Sequence, residues 1–246
     1  MLLFEDFVFS DSNSPEQQQQ IVRDLYDNHP ILTAGFWKSV VFSLKNNKFV
    51  QVPAQLFVEN SAEEYLKFNA HIDPEHDLVR WCSNSRLDSV TVYLVPKALH
   101  DWLTVLYKNT TLKFVHQSSA LIEGVIQATE QEGGSPLYLY VDRFKLHIMA
   151  AKDGSLTYYN QFAIKHFADY VKYIMLVLSA LGMNQETSRV VMWGYIGKNS
   201  PHFHEFAKYI RNVSFGKRPA HLRFGYMFDE VQDHHFFDLY ATQLLA

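Results

Sequence analysis

The spacing of apolar residues in the second half of the chain predicts a meander of three strands followed by a helix. Apolar and aromatic residues dominate residues 137–141, 145–151 and 155–162. Asp153-Gly154, between the last two segments, is a strong two-residue hairpin turn. Apolar positions then recur at helical spacing from about His166 to Leu181. The pattern therefore predicts three consecutive antiparallel strands and one long helix.

The segments that follow complete a recognisable order of elements. Residues 189–193 have the composition of a buried strand, and Ser200-Pro201 caps and opens a helix that runs to about Arg211. Residues 213–215 form a last short apolar segment. Three antiparallel strands followed by helix, strand, helix and strand is the order of a ribonuclease H-like unit.

The beginning of the chain is predicted to contain strands and one capped helix. Residues 4–9 are predicted to form a short strand, and Ser14-Pro15 to open a helix. Residues 38–44 and 48–52 are predicted to form two strands joined through Asn46-Asn47, a pair that tolerates positive φ in a tight turn.

The first half ends like the second and is separated from it by a polar segment. Predicted strands at 89–95 and 112–116 are each followed by a helix. The segment Gln131–Pro136 contains two glycines and is the best boundary in the chain. We therefore expect two ribonuclease H-like lobes, residues 1–130 and 131–246. The predicted fold class is α/β with the duplicated unit of the actin-like ATPase fold.

Composition and charge restrict the class of protein. Apolar residues make up 48% of the chain, enough for a large core, and the net charge is −4 without a basic stripe. Nucleic acid and anionic membrane surfaces are therefore not favoured partners. Cys82 is the only cysteine, which fits a reducing compartment. The most apolar stretch, residues 173–181, is too short to span a bilayer, so we expect a soluble cytoplasmic protein.

Several segments resemble an uncharacterised bacterial family with the actin-like ATPase fold. They are Val52–Phe57, Val95–Leu99, Phe114–Leu121, Ile210–Val213 and the tail His234–Leu239. More distantly, the chain is similar to actin-like components of pilus assembly and type II secretion. The resemblance implies a fold but no established activity. It also implies a β-hairpin ahead of residues 4–9. Either the start of the sequence is truncated or misassigned, or this member has lost two strands. We therefore expect an N-terminal lobe that lacks its first hairpin and is less complete than the second lobe.

The actin-like fold binds the phosphates of ATP through two glycine-containing hairpin turns, each with an aspartate that organises Mg²⁺ and water. The first turn would belong to the hairpin that precedes this chain. At the second, Asp142 is suitably placed, but Arg143 and Phe144 stand where glycine is needed for the backbone to approach a phosphate. The alternative interpretation is an ordinary hairpin turn with an exposed Asp and Arg.

The adenosine-binding turn of this fold normally presents a Gly-Gly pair after a strand. Here Gly194 is present, but Tyr195 replaces the second glycine. The tyrosine could stack on a base, or the segment could simply be the end of a strand. Asp142, Arg143, Gly194 and Tyr195 are thus the candidate cofactor-binding residues, at altered positions of a nucleotide site.

Other chemistry is not favoured by the sequence. The cluster Asp233, His234, His235 and Asp238 contains metal-ligand types, but adjacent histidines seldom bind one ion, so no metal is predicted. Ser118 lacks a nucleophile elbow and is better explained as a helix cap.

These observations predict a non-catalytic, degenerate actin-like module without a cofactor, whose partner is another protein. Aromatic residues of the tail could form the binding surface or pack as core: Phe224, Tyr226, Phe228, Phe236 and Phe237. The alternative is a protein that binds ATP with magnesium, weakly, in the cleft between the lobes. The oligomeric state stays open.

Overall fold

The computed structural model describes residues 4–7 and 15–246 of the chain. Its strands are β1 (Ser39–Leu44), β2 (Phe49–Pro53), β3 (Asp77–Asn84), β4 (Ser89–Pro96), β5 (Thr111–His116), β6 (Leu137–Asp142), β7 (Lys145–Lys152), β8 (Ser155–Ala163), β9 (Val190–Gly194) and β10 (Val213–Phe215). Its α-helices are α1 (Pro15–Asn28), α2 (Ala62–Leu66), α3 (Lys97–Leu106), α4 (Gln117–Glu132), α5 (Phe167–Ala180), α6 (Pro201–Ala207) and α7 (Phe237–Ala241).

The second half of the chain forms one five-stranded sheet in the order β10-β9-β6-β7-β8. Strands β6, β7 and β8 pair antiparallel, while β9 and β10 add in parallel beside β6. The predicted meander is therefore confirmed. Asp153 and Gly154 turn the chain between β7 and β8 with φ of 52° and 75°, the conformation that their residue types favour.

Both faces of this sheet are covered, which explains why β6 is buried along its whole length. Because side chains alternate along a strand, Leu137, Leu139 and Val141 pack with α5 and α6, whereas Tyr138 and Tyr140 face α4 and α7. One aliphatic face and one aromatic, partly polar face result. The aromatic face carries the candidate site.

The first half of the chain forms two smaller sheets. Strands β1 and β5 pair in parallel, and β2, β4 and β3 form an antiparallel sheet in that order. The predicted hairpin through Asn46-Asn47 is therefore wrong, since β1 and β2 belong to different sheets. Asn46 Nδ2 donates to Leu94 O at 2.9 Å and Asn46 Oδ1 accepts from Lys48 N, so side-chain bonds shape this connection.

Strand β1 belongs to a sheet of two strands among the described residues. One edge of β1 pairs with β5 along the whole strand, from Ser39 to Leu44. Within residues 4–7 and 15–246, no strand runs along its other edge. Residues 4–7 form no strand; Val8 and Phe9 of the predicted strand, and the predicted cap Ser14, lie outside the described residues.

Helices α4 and α7 pack against each other beside the aromatic face of the large sheet. Gly124 of α4 makes room for the ring of Phe237, because a Cβ at position 124 would lie 2.7 Å from Phe237 Cζ. Phe237 also stacks on Trp193, with ring centroids 4.0 Å apart. The tail therefore closes the core of the second half.

The aromatic residues of the tail divide between core and surface. Phe228 and Phe237 are buried and Tyr226 is 82% exposed, while Phe224 and Phe236 are half-buried. The idea that all five form a binding surface is wrong for Phe228 and Phe237. Phe237 is buried against α4 and β9, and Phe228 is buried among other aromatic rings, including those of Phe224 and Tyr240.

The boundary at residue 130 stays a prediction. Gly133 and Gly134 are exposed and have positive φ of 68° and 80°, as suits a chain reversal between a helix and a strand. None of the helices in the described part of the chain has the length and apolar character needed to cross a membrane.

Candidate functional site

A cleft of about 440 Å³ lies where the two halves of the chain meet. We call it the cleft. It is lined by Phe4, Glu5, Asp6, Phe7, Gln18, Ser43, Lys45, Arg143, Tyr195, Phe236, Asp238 and Leu239. Two of the four sequence-predicted site residues, Arg143 and Tyr195, are on its wall. The cleft thus contains both positive and negative side chains.

Asp142 ends β6 and is 5% exposed, so the expectation of an exposed turn aspartate is wrong. Lys45, which follows β1, places its ammonium 3.2 Å from both carboxylate oxygens of Asp142. The Lys45 side chain is about half exposed. The carboxylate that would organise Mg²⁺ in an active ATPase therefore has an intramolecular cation as its partner.

Gln117, the first residue of α4, connects Asp142 to the C-terminal tail. Its buried side chain donates through Nε2 to Asp142 Oδ2 at 3.2 Å and to Asp238 Oδ2 at 2.7 Å. Tyr140 donates its hydroxyl proton to Asp238 Oδ1 at 2.5 Å. Lys45, Asp142, Gln117, Asp238 and Tyr140 form one polar network, which we call the cleft network.

Burial determines the protonation of two groups at this network. It raises the pKa of Tyr140 well above its usual range, and the neighbouring Asp238 carboxylate adds to the effect. Tyr140 therefore stays a hydrogen-bond donor. Burial also lowers the pKa of Lys145, an effect that the charge of Asp142 opposes.

The turn after Asp142 presents no glycine backbone to a ligand. Arg143 has φ of 28°, and its carbonyl accepts a hydrogen bond from Tyr170 Oη at 2.9 Å. The carbonyl of Phe144 accepts from Ile164 N at 2.7 Å. The turn is thus fixed to the segment that leads into α5. The Arg143 guanidinium lies 5.9 Å from the centroid of the Tyr195 ring.

The turn after β9 uses its backbone donors within the chain. Gly194 N donates to His234 O at 2.8 Å and Tyr195 N donates to Val141 O at 2.7 Å. Gly194 has φ of 98°, and a Cβ there would lie 2.1 Å from Val141 O. The glycine is therefore explained by close backbone packing, and the Tyr195 ring meets Phe236 edge-on at 5.4 Å.

A second buried network of histidines lies close to the cleft. His116 caps α4, accepting from Ser118 N at 3.2 Å through Nδ1, and His147 Nδ1 lies 2.9 Å from Tyr159 Oη. Burial lowers the pKa of both histidines to about 3. Their Nε2 atoms have no hydrogen-bond partner among the described residues. Both rings are therefore neutral in the folded protein.

The His and Asp residues of the tail that have metal-ligand types do not point towards one common site. Asp233 pairs with Arg218, His234 Nε2 lies 2.7 Å from Ile196 O, and Asp238 belongs to the cleft network. In residues 4–7 and 15–246, no group of three or more His, Cys, Asp or Glu side chains is arranged to hold a metal ion. Burial raises the pKa of the Cys82 thiol, which disfavours the reactive thiolate.

The sequence pattern indicates Asp142, Arg143, Gly194 and Tyr195 as candidate site residues, but it does not indicate the hydrogen-bond partners of Asp142. Lys45 stands 97 positions before Asp142 and Gln117 stands 25 positions before it. Gln117 falls in the segment 114–121 that carries the family resemblance, which is a usable signal. Lys45 has no such signal, because its place follows from the pairing of β1 with β5.

The sheet order and the cleft define the class, an actin-like ATPase fold. A protein of unknown function with this fold from Bacteroides thetaiotaomicron superposes with a TM-score of 0.80 at 20% identity, covering 99% of this chain and 86% of that one. The chain belongs to the family described as protein of unknown function DUF3822, whose model matches residues 1–213. No curated protein matches the chain. The predicted fold class and family resemblance are confirmed.

One further structure shows the predicted distant similarity to pilus assembly proteins, and a second has a weaker likeness. One is the PilM–PilN type IV pilus biogenesis complex, with a TM-score of 0.58 at 10% identity over 94% of this chain and 86% of that chain. The other is the cytoplasmic domain of EpsL, an inner-membrane component of the type II secretion system of Vibrio cholerae. It has a TM-score of 0.41 at 11% identity over 92% and 79% of the two chains.

Proposed function

We propose that the chain is an actin-like module that binds another protein and does not turn over ATP. The observation that carries the proposal is the pairing of Asp142 with Lys45 and Gln117. Catalysis of phosphoryl transfer depends on positioning a metal ion and phosphate oxygens. A carboxylate paired with an ammonium is a poor ligand for Mg²⁺, because the cation must first displace the lysine.

The backbone geometry supports the same proposal. At the turn expected to bind adenosine, the N–H groups of Gly194 and Tyr195 already donate to carbonyls of the chain. Arg143 and Phe144 have side chains that hinder approach of a phosphate to the other turn. Glu5, Asp6 and Asp238 add negative charge to the cleft wall, which opposes a triphosphate.

A protein partner is supported by the surface and by a neighbour in fold. Large apolar side chains are exposed on the described surface, among them Phe68 at 94% and Tyr226 at 82%. The structure at a TM-score of 0.58 is the PilM–PilN type IV pilus biogenesis complex, an assembly of two different proteins.

The test for a partner is photo-crosslinking in the native host. A photoreactive phenylalanine is placed at Phe68, at Tyr226 or at the exposed control position Lys108. A supporting result is one protein crosslinked from an apolar position but not from Lys108, which then binds the purified chain with a 1:1 stoichiometry in calorimetry. The absence of any crosslinked protein, together with ATP turnover, would contradict the proposal.

Nucleotide binding without turnover is the second candidate, because Lys45 and Arg143 put two cations on the cleft wall. Calorimetry with ATP and Mg²⁺ separates the two candidates. Binding that is lost in the Lys45→Met and Arg143→Gln variants, but kept in Lys48→Met, supports the second candidate. Lys48 is a matched control, since it also pairs with an aspartate and is similarly exposed.

A further inference from the structure

A second cavity, of about 330 Å³, lies on the aliphatic face of the large sheet, beside the turn between β6 and β7. We call it the apolar cavity. Its floor consists of buried side chains of four elements, namely Val141 of β6, Ile174 of α5, Met192 of β9 and Phe206 of α6. Aromatic and aliphatic residues form its walls, including Phe144, Ile164, Phe167, Tyr170, Tyr195 and Ile196. Its volume is at the lower end of the range of small-molecule sites, about 300–1,000 Å³.

The rim of the apolar cavity is positively charged. Arg143 and Lys165 line it, together with His166 and His202, and no Asp or Glu does. Within the described residues, neither Arg143 nor Lys165 forms an ion pair or a side-chain hydrogen bond; Arg143 only lies over the Tyr195 ring. The Asp169 carboxylate does not line the cavity, but it lies next to the rim, because it accepts from the backbone N–H groups of Lys165 and His166.

The two cations are informative because of their position at an apolar cavity. Other exposed cations of the described surface, such as Lys108 and Lys113, also form no ion pair, so a missing partner alone does not mark a site. Arg143 and Lys165 differ in that they border one apolar lining that contains no Asp or Glu. An anionic group of a ligand in the cavity could therefore pair directly with them.

The rim is held in place before any ligand binds. The Arg143 carbonyl accepts from Tyr170 Oη at 2.9 Å, and Phe144 O accepts from Ile164 N at 2.7 Å. The His202 ring stacks on Phe167, with centroids 4.9 Å apart. Little ordering of the backbone is therefore required on binding, which favours a small ligand.

We propose that the apolar cavity binds a small amphiphilic anion. An alkyl or aryl body fills the space above Ile174 and Met192, and a carboxylate or phosphate monoester faces Lys165 and Arg143. Burial of the apolar body contributes most of the affinity, and the two exposed cations select the charged head group. This site does not use the cleft network and does not depend on the proposed partner.

The test is a titration of the protein, labelled at isoleucine and methionine methyl groups, followed by NMR. The probes are octanoate, octyl phosphate, the uncharged 1-octanol, and acetate as the head group alone. At millimolar concentrations, octanoate or octyl phosphate should shift the methyl signals of Ile164, Ile174 and Met192. Acetate should not shift them. Comparing octanoate with octyl phosphate shows which head group is preferred.

Variants test the role of the rim. Lys165→Gln combined with Arg143→Gln should weaken binding of the anions by about fivefold and leave binding of 1-octanol unchanged, as expected for two exposed charge interactions. Lys108→Gln, also exposed, is the control. Two results would overturn the proposal: no shift of these methyl signals by any probe, or equal affinity for octanoate and 1-octanol. Retention of all resonances outside the cavity shows that the variants are folded.

Discussion

Lys45 and Asp142 are 97 positions apart in the chain, yet the lysine ammonium is 3.2 Å from both carboxylate oxygens. This contact joins the end of β1 in the first half to the end of β6 in the second. It pairs a positive charge of the protein with the aspartate at which the family resemblance implies an Mg²⁺ site. The contact therefore links the fold of this chain to the absence of turnover that we propose.

A double-mutant cycle measures this link. Lys45→Met and Asp142→Asn, alone and combined, should give a coupling of about 1 kcal/mol in the free energy of unfolding by urea, because the lysine is half exposed. The pair Lys48 and Asp77, with its atoms 3.3 Å apart, is the control at a distance from the cleft. A coupling of zero between Lys45 and Asp142 would show that the contact does not contribute in solution.

Gly194→Ala should be among the most destabilising substitutions in the second half. A Cβ at this position would lie 2.1 Å from the backbone oxygen of Val141, at φ of 98°. The loss of unfolding free energy should be roughly 4 kcal/mol or should prevent folding. The control is Gly134→Ala, where φ is 80° but nothing lies within 4 Å of the Cβ. There the loss should be about 1 kcal/mol, from backbone strain alone. Equal losses would refute the close packing of β6 against the turn after β9.

Truncation of Phe237 tests whether the tail belongs to the core. The ring stacks on Trp193 and contacts Gly124, so Phe237→Ala should lower the free energy of unfolding by about 3–5 kcal/mol. Tyr226→Ala, which removes a ring that is 82% exposed, should cost less than about 0.5 kcal/mol. Urea denaturation distinguishes these values. A small loss for Phe237→Ala would mean that α7 is not docked on α4.

The buried histidines predict a loss of stability in mild acid. Their pKa values are about 3 in the folded chain and about 6.5 when unfolded, so the unfolded chain binds more protons between these pH values. Stability should therefore fall as the pH is lowered through this window. From pH 7.5 to pH 5.5 the loss is on the order of 1 kcal/mol for each of His116 and His147. His147→Gln should reduce the pH dependence by that amount, while His71→Gln, at an exposed position, should leave it unchanged.

Local signals made parts of the fold predictable. Asp153-Gly154 encodes its hairpin by residue type alone, and the three strands of the meander are neighbours in sequence as well as in the sheet. The connection at Asn46-Asn47 also consists of residues that favour turns, but it does not form a hairpin, because β1 and β2 belong to different sheets. Strand β1 pairs with β5, about 70 residues later, and no turn signal reports a partner at that distance.

The same distinction applies to the candidate site. Asp142 could be proposed from the sequence because it ends a strand at the position where the family resemblance implies a phosphate-binding turn. The sequence could not predict that Asp142 is buried or that it contacts Lys45 and Gln117. These three side chains come from separate elements that only the folded chain brings together. Gly194 could be found too, but the reason for it differs from the one the sequence suggested: a neighbouring backbone, and not a nucleotide, requires the missing Cβ.

The most direct test of the central claim is phosphate release from ATP by the purified chain in the presence of Mg²⁺. Wild-type protein should release no more phosphate than buffer with Mg²⁺ alone, and neither Asp142→Ala nor Lys45→Met should change this result. Weak nucleotide binding in calorimetry is compatible with the claim. Mg²⁺-dependent turnover by the wild type that disappears in Asp142→Ala would contradict it, because the turn after β6 would then function as a phosphate loop despite Arg143 and Phe144.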